Sequence, residues 1–116
     1  MKQEFRRAKR RKASGQIPVT DVMTDQVVGH VGNLSESGML LLASRPLVND
    51  ALYQFRFTLD CGDGQPAPIE IGAHLLWNDQ ASAPGQQWVG FRFIGLSDRC
   101  LRVLRAWVNR PGSQYA

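Results

Sequence analysis

Two short stretches carry the residues with the most chemistry to offer. Residues 1–12 hold Lys2, Arg6, Arg7, Lys9, Arg10, Arg11 and Lys12 against Glu4 alone, a net charge of +6. Residues 33–38 read Asn33-Leu34-Ser35-Glu36-Ser37-Gly38. Asn33 and Ser35 lie two apart, so on an extended backbone their side chains leave the same face. Gly38 can take a positive φ or let another backbone come close. The second stretch therefore offers two outward hydrogen-bonding side chains beside a bend. The first offers a dense source of positive charge for an anion.

The remaining chemistry-bearing residues form no catalytic pattern. His30 and His74 have no neighbouring Asp or Glu arranged to orient a base, and no GxSxG or activated-cysteine motif marks a nucleophile. Asp60-Cys61-Gly62-Asp63-Gly64 lacks the spaced oxygen ligands of a calcium loop and reads as a turn. Cys61 and Cys100 are far apart, without metal-ligand spacing. No glycine-rich loop leads from a strand into a helix. The reading is a binding protein, not an enzyme, with no catalytic residue and no metal.

These motifs need elements to hold them. The chain has 116 residues, 43% of them hydrophobic and 21% charged, which suits one globular domain. Tyr53, Phe55, Phe57 and Leu59 alternate with polar residues. So do Ile69, Ile71, Ala73, Leu75 and Trp77, and then Val89, Phe91 and Phe93. Alternation of this kind gives strands with one face in a core. Further strands are expected near 15–22, 26–33 and 39–44. Six short strands at this spacing predict a mainly β fold, a small antiparallel barrel. Ser97 is a good N-cap, and Cys100, Leu101, Val103, Leu104, Trp107 and Val108 form an apolar stripe at helical spacing. Pro111-Gly112 ends that helix. Arg99, Arg102 and Arg105 lie opposite the stripe and read as a solvated face. The organisation expected is a flexible basic arm over 1–12, a barrel with its C-terminal helix over 13–110, and a tail over 111–116.

Charge and hydropathy narrow the partners. Residues 13–116 carry seven bases and nine acids, a net −2, so no nucleic-acid surface spreads over the body. The longest unbroken apolar run is Met39 to Ala43, too short to span a membrane, and no secretory leader is evident. A cytoplasmic location is expected. The arm alone would bind nucleic acid or anionic membranes non-specifically at low salt, but that leaves Asn33–Gly38 without a role.

The two motifs together resemble the PilZ domain, a bacterial receptor domain for cyclic di-GMP. That family pairs RxxxR, often RRxxxR, with [D/N]xSxxG a little over twenty residues later. Arg6-Arg7-Ala8-Lys9-Arg10-Arg11 supplies the first, and Asn33, Ser35 and Gly38 the second, with Asn33 following Arg11 by 22 residues. Gly72-Ala73-His74-Leu75-Leu76-Trp77 is similar to the family's penultimate barrel strand, and Gly90-Phe91-Arg92-Phe93 to its last.

The resemblance implies a cyclic di-GMP effector with no cofactor, in which the arm folds over the ligand and changes the surface met by an unidentified downstream protein. Arg7 and Arg11 would be the motif pair, with Arg6 a third contact. Arg6 to Arg10 also reads RxxxR, so the register is open. Asn33 would meet a guanine edge, Ser35 would add a polar contact, and Gly38 would hold the turn. Arg11 and Ser35 are expected to be exposed. Trp77 has two readings: the resemblance lays it against a guanine, whereas alternation groups it with Ile69, Ile71 and Leu75 on the core face. The alternative function is a PilZ-fold adaptor that acts without nucleotide. Motility, exopolysaccharide, pili and virulence are outputs the resemblance allows.

Overall fold

The computed structural model of the chain describes residues 8–62 and 64–116. Among these residues the order is β1 (Arg11–Lys12), β2 (Pro18–Asp21), β3 (Gln26–Leu34), β4 (Gly38–Ala43), β5 (Leu52–Asp60), β6 (Pro66–Gln80), β7 (Gln87–Ile94) and α1 (Asp98–Val108). All strand pairs are antiparallel. The sequence β2–β5–β6–β7–β4 closes through the β3–β4 and β2–β3 pairs, so six strands form a barrel and β1 lies outside on β3. Closure removes the open edges that a short sheet would expose. The predicted six-stranded barrel with a C-terminal helix is the fold observed.

The alternating residues behave as their period requires. Phe55, Phe57, Leu59, Ile69, Ile71, Leu75, Phe91 and Phe93 are buried, with Val19, Leu34, Met39 and Leu41 from the other strands. Phe55 and Phe91 meet edge to face at the centre, their ring centroids 5.0 Å apart. At the end of β5, Asp60 accepts the N–H of Gly62 at 2.8 Å, and Gly62 and Gly64 both take positive φ before β6.

Helix α1 starts where Ser97 accepts the N–H of Cys100 at 3.1 Å. It buries Cys100, Leu104, Trp107 and Val108 against the barrel. Its outer arginines are less idle than a solvated face implies. Arg99 donates to the Pro68 carbonyl at 2.9 Å. Arg105 donates to both Glu36 carboxylate oxygens, at 3.0 and 3.2 Å, tying the helix to the β3–β4 turn and raising the Arg105 pKa above its ordinary value.

Of the three places among the described residues where strand pairing shifts register, two flank the motif region. Between Val31 and Asn33, β3 has an extra residue against β4, and between Leu75 and Trp77, β6 has an extra residue against β7. Each bulge reverses the in–out alternation beyond it. Val31 and Leu75 point into the core, and two residues later Asn33 and Trp77 do not. The core-face reading of Trp77 is thus corrected: the residue is 48% exposed.

Candidate functional site

The bulges bring the site into one cross-strand row. Asn33 on β3 pairs with Leu40 on β4, Leu40 with Gly90 on β7, and Gly90 with Trp77 on β6. Gly90 makes the row possible, because a Cβ there would sit 2.3 Å from the indole Nε1 of Trp77. The tryptophan therefore lies flat over glycine backbone instead of being pushed off the sheet. The row borders a hollow of about 270 Å³, also lined by Arg10, Met39, Leu76 and Phe91.

Arg10 reaches this hollow from the arm. Its Nη1 donates to Asn33 Oδ1 at 3.1 Å. Its Nη2 would be 3.4 Å from a Cβ built on Gly38, and the same Cβ would meet the Phe91 carbonyl at 2.4 Å. Gly38 thus serves close approach, by the strand behind it and the guanidinium above it. Positive φ is not its role.

The next residue does something else. Arg11 turns to the helix, donating to the Trp107 carbonyl at 2.6 Å with its guanidinium carbon 4.2 Å from the Trp107 ring centroid. It is only 9% exposed, and burial, then the like charge of Arg110, lowers its pKa from the ordinary arginine value. The expected exposure of Arg11 is therefore overturned. Alternation explains it, since neighbours on an extended segment face opposite ways. Arg10 meets Asn33, and Arg11 meets α1. Arg6 and Arg7 lie outside the described residues.

Ser35 is also inside, fully buried. Its hydroxyl accepts the N–H groups of Ser37 and Gly38 at 3.0 and 3.1 Å. The Ser35 N–H donates to the Gly38 carbonyl at 2.9 Å. The expectation of an outward Ser35 assumed extended backbone through the motif, whereas the chain already turns there. The motif thus divides into an outward hydrogen-bonding residue, Asn33, and a turn built by Ser35 and Gly38.

The arm is held on two sides. Arg11 and Lys12 pair with Leu34 and Asn33, and Arg11 bridges to Tyr115 on the other side. Lys12 N–H donates to the Gln114 carbonyl at 2.8 Å, and Ala116 N–H to the Arg10 carbonyl at 2.9 Å. Lys9 lies over the Tyr115 ring, 5.2 Å from its centroid.

Sequence reasoning missed Leu40, Leu76 and Arg92 near the site. A glycine opposite an aromatic in the last two strands was the available signal for the row. Among the described residues, no group of three or more His, Cys, Asp or Glu side chains is placed to hold a metal ion. His74 does find a carboxylate, Asp50 Oδ1 at 2.6 Å, from the loop before β5. Among the described residues no helix is long and apolar enough to cross a membrane.

A six-stranded barrel with a helix packed on it, carrying this row across β3, β4, β7 and β6, is the frame in which the chain can be compared with known folds. The PilZ domain family profile matches residues 4–110, and the chain belongs to that family. Among solved structures it is similar to the PilZ domain with c-di-GMP of YcgR from Escherichia coli, at 19% identity and a TM-score of 0.65, covering 90% of this chain and 89% of that one. It is similar to the inhibitor of motility MotI/DgrA of Bacillus subtilis, at 12% identity and a TM-score of 0.74, covering 93% of this chain and 51% of that one. The complex of E. coli YcgR with c-di-GMP matches at 19% identity and a TM-score of 0.64, over 86% of this chain and 42% of that one. A search of curated proteins found no match.

Proposed function

We propose that this chain is a cyclic di-GMP receptor that binds the dinucleotide on the outer face of the barrel, between the arginine arm and the Asn33–Trp77 row. The observation that carries this reading is the Arg10–Asn33 hydrogen bond at 3.1 Å, which joins the two motifs at one hollow. Arg10 offers a planar fork able to take phosphate oxygens bidentately or match the O6/N7 edge of guanine. Asn33 adds a donor and an acceptor for a base edge. Trp77 supplies an exposed aromatic plane for stacking. The likeness to YcgR, whose structures contain c-di-GMP, agrees with this ligand.

In this reading the register of the first motif is Arg6–Arg10, with Arg7 as a further contact. Arg11 acts on the arm's position and Ser35 on the turn's shape. Ligand closing on Arg10 bears on the neighbouring Arg11, and through it on α1, so the helix face is the surface a protein partner would read. The chain works in the cytoplasm, without catalysis.

Calorimetric titration tests the ligand. Cyclic di-GMP is expected to bind with micromolar affinity, about −8 kcal/mol. Asn33→Ala and Trp77→Ala are each expected to weaken it, the latter by about 1–3 kcal/mol for a lost base stack. No heat of binding at tens of micromolar ligand in low salt overturns the proposal. Wild-type activity in cells from a variant lacking Arg10 and Asn33 would favour the nucleotide-independent adaptor instead.

A further inference from the structure

We infer that Arg92 is an additional anion-binding residue of the site, taking a phosphodiester of the ligand in a second hollow beside the first. This rests on the cyclic di-GMP reading and extends it to a residue outside both motifs. Arg92 lies on β7 two positions after Gly90, so its side chain leaves the same outer face on which Trp77 rests. That spacing is about 7 Å along a strand. Its cross-strand neighbours are Gly38 on β4 and His74 on β6. Because Gly38 has no side chain, Arg10 lies over it, and the two arginines approach the same ground from different directions.

The ground between them is a hollow of about 230 Å³ lined by Ala8, Arg10, Ser37, Leu76, Phe91 and Arg92. Among the described residues no carboxylate lines it. Arg10, Leu76 and Phe91 line both this hollow and the one holding Trp77, so the two are continuous. They differ in chemistry. The Trp77 side is aromatic and amide-bearing, suited to a base, whereas the Arg92 side is bounded by two guanidiniums, suited to an anion.

Arg92 is also held in reserve. Arg56, Arg99, Arg105 and Arg110 each have a carboxylate or carbonyl partner on the barrel. The Arg92 side chain is exposed and makes no hydrogen bond or ion pair among the described residues. Glu36, the carboxylate of the adjacent turn, is taken up by Arg105. Asp50, beyond His74, is taken up by that histidine. Among the described residues these nearby acids are engaged elsewhere, which leaves the Arg92 guanidinium for a ligand.

The test is calorimetric titration of cyclic di-GMP into wild type, Arg92→Gln, Arg92→Lys and Arg102→Ala. Arg92→Gln removes the charge and is expected to weaken binding about tenfold or more, the value of a charged hydrogen bond. Arg92→Lys keeps a point charge that still pairs with phosphate and is expected to stay within about fivefold of wild type. Arg102→Ala, on the outer face of α1, should leave affinity unchanged. Binding by Arg92→Gln at wild-type strength overturns the role of Arg92 and leaves the Arg10–Asn33 site standing. Equal losses in the glutamine and lysine variants, or a matching loss in Arg102→Ala, also overturn it. Failure of wild type itself to bind overturns the ligand reading as well.

Discussion

At the scale of single residues, adjacent arginines have different work. Arg10 carries the contact to Asn33, and Arg11 carries the contact to Trp107. Arg10→Ala is expected to reduce cyclic di-GMP affinity while leaving urea unfolding nearly unchanged. Arg11→Ala is expected to lower both, costing about 1–3 kcal/mol of stability through the lost hydrogen bond and ring contact. Matched titration and unfolding curves separate the two. Ser35 makes a companion case. Its hydroxyl serves two N–H groups in a fully buried turn. Ser35→Ala should cost about 1–3 kcal/mol in unfolding free energy, and any loss of ligand affinity should follow from a displaced Asn33. Unaltered stability in that variant would show that the serine has no part in building the turn. The four arginines within Arg6–Arg11 made the register unreadable from sequence, because two overlapping patterns fit. Only the pairing of β1 with β3 determines which one faces Asn33.

At the scale of elements, the barrel was largely legible because burial imposes a period of two on each strand. The runs around Phe55, Ile71 and Phe91 carry that period without interruption. The bulges were not legible. Ile69 to Trp77 alternates cleanly in sequence, yet β6 changes phase after Leu75. The cause lies in the partner strand, where Gly90 gives the indole a place to lie. A single strand's pattern does not contain that information. Strand β1 escaped notice for a related reason: two residues are too few to show a period, and they are fixed by Leu34 and Asn33 on one side and the chain's last residues on the other. That second side makes a prediction. Deleting residues 113–116 removes the bonds from Lys12 to Gln114 and from Ala116 to Arg10. Ligand affinity should fall several-fold although no deleted residue lines the hollow beside Trp77. An unchanged affinity would mean that β3 and Trp107 suffice to place the arm.

At the scale of the whole molecule, the charge asymmetry and the barrel act together. The first twelve residues carry +6 and the body a net −2, and in the proposed site the arm's Arg10 works together with Asn33 and Trp77 of that body. Affinity from the arm alone would fall steeply with salt and ignore the base. Affinity from the row should depend on guanine. The chain is therefore expected to reject cyclic di-AMP at an ionic strength where it still binds cyclic di-GMP. Equal binding of the two, lost together as salt rises, would reduce the site to a charged tail. The chain's three tryptophans also stand in three environments: Trp107 is buried beneath Arg11, Trp88 is partly covered, and Trp77 is open to solvent at the hollow. A purine settling on Trp77 would shield one indole and leave the other two as they were. Occupancy is then written into the protein's own emission, as a partial quench with a blue shift that Trp77→Phe should abolish, so that binding is followed by light without any label.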